Sequence, residues 1–471
     1  MWSPIYLLFA LLSQVIAIWP APQSFTSGSS VLWIAPSVHV TYNGGSVWSS
    51  SFPDYFHSQT EEVLGIQNSY VGSNESFCSQ SIVQGAISRA LQTLFTQNLV
   101  PWKLVARNQL AEFEPAANSQ KTYITSLDIT QTSTDNSSTF KPLAGQADES
   151  YNLNVGTEGT ANITAVSSTG VLHALQTFIQ LFYQHSTGAG MYTNMAPISI
   201  TDAPKFPHRG LNMDVSRNWY PMADILRTID ALSWNKFNVL HMHMTDSQSW
   251  PMDIPALPLL SQKGAYQTGL SYSPSDIQLI QTYAIERGIN VIMEFDMPGH
   301  TTSIGYGYPN LIAAFDAKPW DTYCAEPPCG TLQLNNPEVD TFLETLFSDV
   351  LPRVQPYTAY FHTGGDEVNA QAYTLDPTVK SNDTNVIREY IQKLVDRNHA
   401  QIRAAGLAPM VWEEMLLDWN LSLGDDVVVQ TWLSDGSVAK TVGKGHKALA
   451  GNYNYWVNNP RPSLIPKLTI L

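Results

Sequence analysis

The pattern of apolar and polar positions divides the chain into two regions with different rhythms. From about residue 30 to residue 200, two helical patterns interrupt segments that alternate apolar and polar residues in steps of two. The clearest strand segments are Val31–Ile34, Tyr123–Leu127 and Tyr151–Val155, and the helical patterns cover Ser81–Leu94 and Val171–Phe182. Strands with few helices between them predict a small α+β domain, which we assign to residues 18–200.

After Pro204 the pattern becomes a repeat of short apolar runs separated by helical patterns. Seven runs predict strands buried on both faces, and they begin near Gly210, Phe237, Ile289, Ala359, Met410, Val427 and Ala448. This repeat predicts a parallel TIM-type (β/α)8 barrel over residues 204–456, incomplete because the eighth strand is missing. The carboxyl ends of barrel strands build active sites, and polar residues collect there: Asp214, His243, Asp296, Asp366, Glu367, Glu413 and Trp432.

Composition and charge exclude several classes of function. The 471 residues are 44% hydrophobic and 14% charged, whereas a disordered chain has low hydrophobicity and high charge. A net charge of −16 at pH 7 repels phosphate backbones and anionic lipids, so we expect neither nucleic acid nor a membrane as a partner.

The first residues predict that the protein is secreted or lumenal. Residues 1–17 hold an apolar run, Ile5–Leu12, that is too short to span a bilayer, and small Ala17 follows it as in a signal peptide. A buried N-terminal strand is the alternative. Five N-x-[ST] sequons fit a secreted glycoprotein: Asn74, Asn136, Asn162, Asn382 and Asn420. In an oxidising compartment Cys324 and Cys329 could close a small disulfide loop, which leaves Cys78 as an odd cysteine.

The segment His362-Thr-Gly-Gly-Asp-Glu-Val368 is the most informative motif. An Asp-Glu pair ordinarily caps a helix and matches its dipole. Here the pair follows a predicted buried strand, and neighbouring side chains of a regular strand point to opposite faces. Because glycine adopts backbone conformations that other residues avoid, Gly364 and Gly365 could turn both Asp366 and Glu367 into one site.

Two other patterns leave alternatives open. His241 and His243 face the same way on one strand, with Asp246 after them, which is also the pattern of a metal-dependent barrel hydrolase. Such a site needs further histidines on later strands, so core packing is the other reading. Trp412 and Trp432 lie at consecutive strand ends, where their aromatic faces suit either ordinary packing or stacking on a sugar.

Taken together, the motifs resemble the β-N-acetylhexosaminidases of glycoside hydrolase family 20, particularly the secreted fungal members. The segments that carry the resemblance are Arg209-Gly-Leu-Asn-Met-Asp-Val-Ser-Arg217, His243–Pro251, Asp296-Met-Pro-Gly-His300, His362–Val368 and Val411-Trp-Glu-Glu414. The resemblance covers nearly the whole chain up to about Tyr455. It implies an N-terminal α+β domain on a barrel, no cofactor, and N-acetylhexosamine-terminated oligosaccharides or glycans as partners, with a homodimer expected of a full-length chain.

The resemblance also implies a mechanism and a role for each matching residue. The family retains anomeric configuration without a protein nucleophile, because the substrate's own 2-acetamido oxygen attacks the anomeric carbon. Glu367 then matches the general acid and base, and Asp366 matches the carboxylate that steadies the oxazolinium-like charge. The remaining matches are Arg209 for gripping sugar hydroxyls, Asp246 and His300 for positioning the acid, and Trp412 and Trp432 for walling the acetyl pocket.

The last segment departs from the family. Relatives continue after the seventh strand with Tyr-Leu-Asp and an eighth strand that carries a Trp and a Glu of the sugar pocket, whereas residues 457–471 form a tail with three prolines and no matching residue. The sequence therefore predicts a barrel truncated after about Trp456. The main hypothesis is a secreted exo-β-N-acetylhexosaminidase, and the alternative is a truncated, inactive relative that only binds carbohydrate.

Overall fold

The computed structural model describes residues 18–48, 77–97, 103 and 105–451. The predicted signal peptide (residues 1–17), the sequon at Asn74 and the predicted tail (residues 457–471) lie outside the described residues. No helix within the described ranges is long and apolar enough to cross a bilayer.

The first region is a mixed sheet of seven strands with two long helices packed on it. The sheet order is β2-β1-β3-β5-β4-β7-β6, and β1 also pairs with β7. The strands are β1 (Ser24–Tyr42), β2 (Gly45–Trp48), β3 (Tyr123–Gln131), β4 (Tyr151–Val155), β5 (Thr160–Ala165), β6 (Tyr183–Gln184) and β7 (Met191–Asp202). The helices are α1 (Ser79–Phe95), α2 (Leu110–Phe113), α3 (Ser137–Phe140) and α4 (Ser168–Ile179), with a 3-10 turn at Arg107–Gln109. The α+β character predicted for this region is thus present.

Alternation in steps of two explains this core. In β4 and β5 every second residue is buried, so Leu153 and Ile163 point to the same face of the sheet. Ile87 of α1 and Leu175 of α4 belong to the same buried cluster as those two strand residues. The apolar face of the sheet is therefore covered by helices and the opposite positions remain polar.

The second region is a parallel sheet of seven strands that pair in chain order. The strands are β8 (Gly210–Asp214), β9 (Val239–Thr245), β10 (Asn290–Phe295), β13 (Tyr360–His362), β14 (Ala408–Trp412), β15 (Val428–Thr431) and β16 (Lys447–Ala450), with a short antiparallel pair β11 (Ile312–Ala313) and β12 (Thr331–Leu332) outside the sheet. All seven predicted barrel strands are present. Among the described residues, β8 pairs with β9 at one edge and β16 pairs with β15 at the other.

Helices alternate with these strands, as a barrel requires. They are α5 (Met222–Trp234), α6 (Leu259–Gly264), α7 (Pro274–Ile285), α8 (Thr302–Gly305), α9 (Trp320–Tyr323), α10 (Pro337–Val354), α11 (Thr384–Ala404), α12 (Glu413–Leu417) and α13 (Ser437–Gly443), with 3-10 turns at Pro309–Leu311 and Ala370–Thr374. Local signals set several boundaries. Ser273 and Asp276 form a capping box at the start of α7, and Asn336 caps α10 with Pro337 as its first residue.

The two regions meet at the amino ends of the barrel strands. Arg209, which precedes β8, forms a two-pronged ion pair with Glu149 at distances of 2.7 and 3.0 Å. Lys236, which precedes β9, donates to Asp202 at 2.9 Å and to Tyr151 at 2.8 Å. A crevice lies at this junction and is lined by residues of both regions. Pairs of opposite charge, largely shielded from solvent, therefore join the first region to the barrel.

Candidate active site

The two glycines after β13 turn the Asp-Glu pair inward. Gly364 and Gly365 have φ values of +66° and +104°, which other residues rarely adopt. A Cβ atom on Gly364 would lie 1.8 Å from Asp296 Oδ1, and one on Gly365 would lie 2.6 Å from Met415 Cγ. Glu367 also has a positive φ, +54°, and the next helical turn begins only at Ala370. The helix-cap interpretation of the pair is therefore wrong, and the turn predicted from Gly-Gly is present.

Asp366 lies against a second carboxyl group, that of Asp296 at the end of β10. One oxygen of each carboxyl group lies within 4.8 Å of the other, and Asp296 Oδ1 accepts the Gly365 N–H at 2.7 Å. Burial, together with the neighbouring Asp366, raises the pKa of Asp296 well above its usual value. Burial also raises the pKa of Asp366, although His300 opposes this effect. Burial and like charge therefore favour a protonated carboxyl group in this pair.

Glu367 begins a relay of charged side chains, Glu367, His300 and Asp246, in which each contacts the next. Its Oε2 lies 3.3 Å from His300 Nε2, and that nitrogen is 4.0 Å from Asp366 Oδ1. On the other side, His300 Nδ1 lies 3.1 Å from Asp246 Oδ1. Burial alone would lower the pKa of His300, but Asp246, Asp296 and Asp366 raise it well above its usual value. A protonated His300 thus links Asp246 to the Asp-Glu pair, and the structure brings together these four predicted site residues.

A buried network continues behind Asp246. His243 contacts Asp246 Oδ2 through Nε2 and Glu294 Oε2 through Nδ1, both at 2.9 Å. Burial would lower the pKa of His243, but Glu294 and Asp246 raise it well above its usual value. Burial would raise the pKa of Glu294, yet His243 and His362 hold it well below its usual value. His243 therefore donates both of its N–H groups to carboxylates.

This network also bears on the metal alternative. His241, Glu294 and His362 are buried, and their donor atoms lie within 4.8 Å of one another. However, His362 Nδ1 accepts the Gly364 N–H at 2.9 Å, and both nitrogens of His243 already face carboxylates. Of the predicted His-x-His pattern, His243 therefore bridges Asp246 and Glu294, and His241 contacts Glu294 through Nε2 at 2.8 Å.

Arg209 does not lie in this site, which corrects its assignment as the residue that grips the sugar. It precedes β8, and all of its described partners lie at the amino end of the barrel: Glu149, Phe206, Lys236 and Asn238. The physical reason is the direction of the strand, since a five-residue strand separates its two ends by roughly 16 Å.

Arg217 is the arginine at the carboxyl end of the same strand, and the sequence analysis missed it. Its guanidinium contacts Asp214 at 2.8 Å, Asp246 at 2.9 Å, and Glu326. Burial would lower the pKa of Arg217, but Asp246 and Asp214 raise it above its usual value. The signal was available, because Asp214-Val-Ser-Arg217 directly follows the strand end at which barrels build their sites.

The two tryptophans occupy different depths. Trp412 is buried in the barrel interior beside His362 and donates its indole N–H to Glu294 at 2.6 Å. Trp432 is half-buried, and its indole N–H points to both oxygens of Glu414, at 3.0 and 3.1 Å. Both rings lie at strand ends on the side of the Asp-Glu pair, and each is held by a carboxylate that the sequence analysis did not assign.

The loop closed by the disulfide borders the site on the side of Glu367. Cys324 and Cys329 are bonded, as the sequence suggested. A crevice is lined by Tyr323, which precedes this loop, and Glu326 within it, together with His300 and Glu367. The loop therefore forms one wall beside Glu367.

The other predicted modification sites lie on the surface. The four sequon asparagines within the described residues are all exposed, and their glycosylation stays a prediction: Asn136, Asn162, Asn382 and Asn420. Cys78 is exposed at the start of α1, and its Sγ lies 3.2 Å from Ser81 Oγ.

Comparisons with known proteins find matches to both regions of the chain. Residues 206–459 match the catalytic domain of glycosyl hydrolase family 20, and residues 18–181 match the domain described as beta-acetyl hexosaminidase like. The beta-hexosaminidase of Arthroderma benhamiae is 37% identical over 482 residues, covering 97% of this chain and 79% of that protein. Beta-hexosaminidase subunit beta of Mus musculus is 36% identical, covering 61% of this chain and 53% of that protein.

Solved structures give the same result for the fold. The chitobiase of Flavobacterium johnsoniae superposes with a TM-score of 0.67 at 25% identity, covering 93% of this chain and 59% of that one. The family 20 β-N-acetylhexosaminidase of Streptomyces coelicolor superposes with a TM-score of 0.62 at 20% identity, covering 93% and 75%. The chain thus spans between about half and four-fifths of the length of the relatives named here.

Proposed function

Because the chain belongs to glycosyl hydrolase family 20, we propose that it is an exo-β-N-acetylhexosaminidase that removes terminal, non-reducing β-linked GlcNAc or GalNAc with retention of configuration. The observation that carries the proposal is the position of His300 Nε2, 3.3 Å from Glu367 and 4.0 Å from Asp366. This arrangement supports one acid that transfers a proton and a second that acts on the substrate beside it.

Glu367 is the general acid and then the general base. It is partly exposed beside the crevice, so its carboxyl group is open to the glycosidic oxygen of a bound substrate. When the leaving group departs, the carboxylate can take a proton from the attacking water. His300 and Asp246 position this group and supply positive charge against the carboxylate that forms.

Asp366 acts on the substrate's 2-acetamido group. The acetamide oxygen attacks the anomeric carbon, so positive charge develops on the resulting oxazolinium ring. We assign the proton of the pair to Asp296, whose pKa is raised well above its usual value, so Asp366 is the ionised member. A fixed carboxylate beside the acetamide N–H stabilises this charge in the transition state more than in the ground state.

Arg217, rather than Arg209, is the basic residue that we assign to substrate hydroxyls. Arg217 contacts Asp246 and Glu326. Through Asp246 it is therefore linked to His300, the residue that contacts Glu367. Trp412 and Trp432 wall the pocket for the acetyl methyl group, because flat aromatic faces exclude water from the attacking acetamide.

The experiment compares two chromogenic substrates that differ only in the acetamide. The protein should hydrolyse 4-nitrophenyl N-acetyl-β-D-glucosaminide and release the β-anomer first, as followed by proton NMR. It should not hydrolyse 4-nitrophenyl β-D-glucoside, which lacks the internal nucleophile. Equal activity on both substrates would contradict substrate assistance, and binding of N-acetylglucosamine without turnover would support the alternative of an inactive carbohydrate-binding relative.

Closure of the barrel is a finer part of the proposal. Among the described residues, β8 and β16 are the edge strands of the parallel sheet, and unpaired edges expose main-chain groups. We propose that the active form has a family-like eighth strand that pairs with both edges. The test compares residues 18–471 with a polypeptide in which Tyr-Leu-Asp and a family-like eighth strand follow Trp456. Higher activity of the second polypeptide supports the proposal, and equal activity of two monomeric proteins contradicts it.

The domain boundaries, secretion, glycosylation and oligomeric state of the enzyme are also proposals. We assign residues 1–17 to a signal peptide, residues 18–200 to the N-terminal domain and residues 204–456 to the catalytic barrel of a secreted glycoprotein that forms a homodimer at full length. The exposed sequon asparagines support glycosylation. Secretion from a eukaryotic host, followed by a decrease in mass on treatment with an endoglycosidase, tests the first part, and sedimentation tests the dimer.

A further inference from the structure

Glu414 is a buried acid that has no role in the proposed reaction. It is the second residue of α12, directly after β14, and only 6% of its surface is exposed. Both of its oxygens face the indole N–H of Trp432, at 3.0 and 3.1 Å. Trp432 itself directly follows β15, so this contact joins the carboxyl ends of two neighbouring strands.

A second acid holds the backbone of the same tryptophan. Glu413 Oε1 accepts the main-chain N–H groups of Trp432 and Leu433, at 2.7 and 2.5 Å. The main chain and the ring of Trp432 are therefore fixed by two separate side chains of one short helix. An aromatic ring that is held at both points has little freedom to rotate about its side-chain bonds.

The helix that carries Glu414 packs directly on the Asp-Glu turn. The Met415 side chain fills the space beside Gly365, and Trp412 N donates to Gly364 O at 3.0 Å. Burial raises the pKa of Glu414 to about 8, and the nearby Asp366 adds to this effect. A neutral Glu414 still accepts the indole N–H through its carbonyl oxygen, and it adds no like charge next to Asp366.

We propose that Glu414 is a positioning residue that fixes the indole of Trp432 as a rigid wall of the N-acyl pocket and thereby makes the enzyme selective for acetyl over longer acyl groups. This inference rests on the proposed function and extends it to the choice among 2-acylamido-2-deoxyhexosides. A rigid apolar pocket discriminates by about 10–200-fold for each added methylene, whereas a wall that can swing loses this discrimination.

The experiment measures kcat/KM on three 4-nitrophenyl β-glucosaminides that carry N-acetyl, N-propanoyl or N-butanoyl groups. The native protein should prefer acetyl over propanoyl by at least about tenfold. Glu414→Ala should reduce this preference by about tenfold, chiefly through a lower KM for the longer acyl groups. Glu414→Gln should keep the native preference, since its amide oxygen accepts the indole N–H in the same geometry. Asp418→Asn, which removes an exposed carboxylate at the end of the same helix, is the control and should also keep it.

Trp432→Phe provides an independent test should Glu414→Ala fail to fold. It keeps an aromatic ring but removes the N–H, so it should relax the preference as Glu414→Ala does, and the double variant should relax it no further. An unchanged preference in a folded Glu414→Ala or in Trp432→Phe overturns this inference alone, as does an equal loss of activity on all three substrates. If the native protein hydrolyses none of the three glycosides, the proposed function fails and this inference fails with it.

Discussion

Buried charges at the two ends of the barrel strands are arranged in opposite ways. At the amino ends, Arg209 pairs with Glu149 and Lys236 pairs with Asp202, so each positive group meets a negative one across the junction with the first sheet. At the carboxyl ends, His243, His300 and Arg217 also pair with acids, but acids lie near one another as well, and burial with like charge raises the pKa of Asp296, Asp366 and Glu414.

The contrast separates residues that stabilise the fold from residues that perform chemistry. Complementary pairs at the junction satisfy their hydrogen bonds, because each charged group there meets a partner of opposite sign. Acids packed together destabilise the folded state at neutral pH, but they provide groups whose proton affinity is set for proton transfer and charge stabilisation. The ion pairs that stabilise the fold thus lie at the amino ends of the barrel strands, and the reactive side chains lie at the carboxyl ends, as is general for this fold.

The largest expected effect is that of Glu367→Gln at the reactive end. The substitution keeps the shape of the side chain and removes the proton donor, so kcat on a substrate with a poor leaving group should fall by about 10²–10⁴-fold. The melting temperature should remain close to the native value, because Glu367 is partly exposed. Unchanged turnover in a correctly folded variant would remove Glu367 from the mechanism.

Asp366→Asn should have the next largest effect. It keeps a hydrogen-bonding group but removes the charge that stabilises the oxazolinium, so kcat should fall by about 10²–10³-fold with a smaller change in KM. A thiazoline analogue of the intermediate should also bind less tightly, as isothermal titration calorimetry can measure. Equal affinity of both proteins for the analogue would argue against this role.

The two arginines of one strand test the contrast directly. Arg209→Ala leaves Glu149 buried without its partner, so the free energy of unfolding should fall by about 3–5 kcal/mol while kcat/KM of the folded enzyme changes little. Arg217→Ala is the matched variant at the other end and should lower kcat/KM by about 10²-fold. Denaturant unfolding and initial rates measure the two effects. A reversed outcome, with activity lost in Arg209→Ala alone, would restore the sequence-based assignment of Arg209.

The smallest expected effect concerns pH and Glu414. Because the folded-state pKa of Glu414 is raised to about 8, its contribution to stability is complete below the ordinary pKa of a glutamate and is lost as pH rises towards 8. The melting temperature of the native protein should therefore decrease over this range more steeply than that of Glu414→Gln. Glu344→Gln, at an exposed position of α10, is the control. Equal slopes in all three proteins would mean that Glu414 is charged in the fold.

Much of the architecture was predictable from local patterns. Strand β15 follows from Val427-Val-Val and β10 from Val291-Ile-Met, because a strand buried on both faces needs a continuous apolar run. The inward turn of Asp366 and Glu367 was also predictable, since Gly364 and Gly365 are the residues that allow it. Each of these inferences depends on a few adjacent residues and on main-chain geometry.

The assignment of Arg209 shows where a motif alone was insufficient. Arg209 and Arg217 stand in the same matching segment, and both form ion pairs in the structure. Arg209 lies at the amino end of β8 and pairs with Glu149, whereas Arg217 lies beyond its carboxyl end and pairs with Asp246. Sequence similarity identified the segment, but the direction of the strand determined which arginine reaches the site.

The partners and protonation states of the site depend on residues that the sequence keeps far apart. Trp412 and Glu294 are separated by 118 positions, and Trp432 and Glu414 by 18, yet each pair forms a hydrogen bond. Apolar periodicity predicts the strand that carries a residue, because burial of a strand depends on its own side chains. A pKa depends instead on desolvation and on charges within a few ångströms, and those neighbours come from different strands that meet only in the folded barrel.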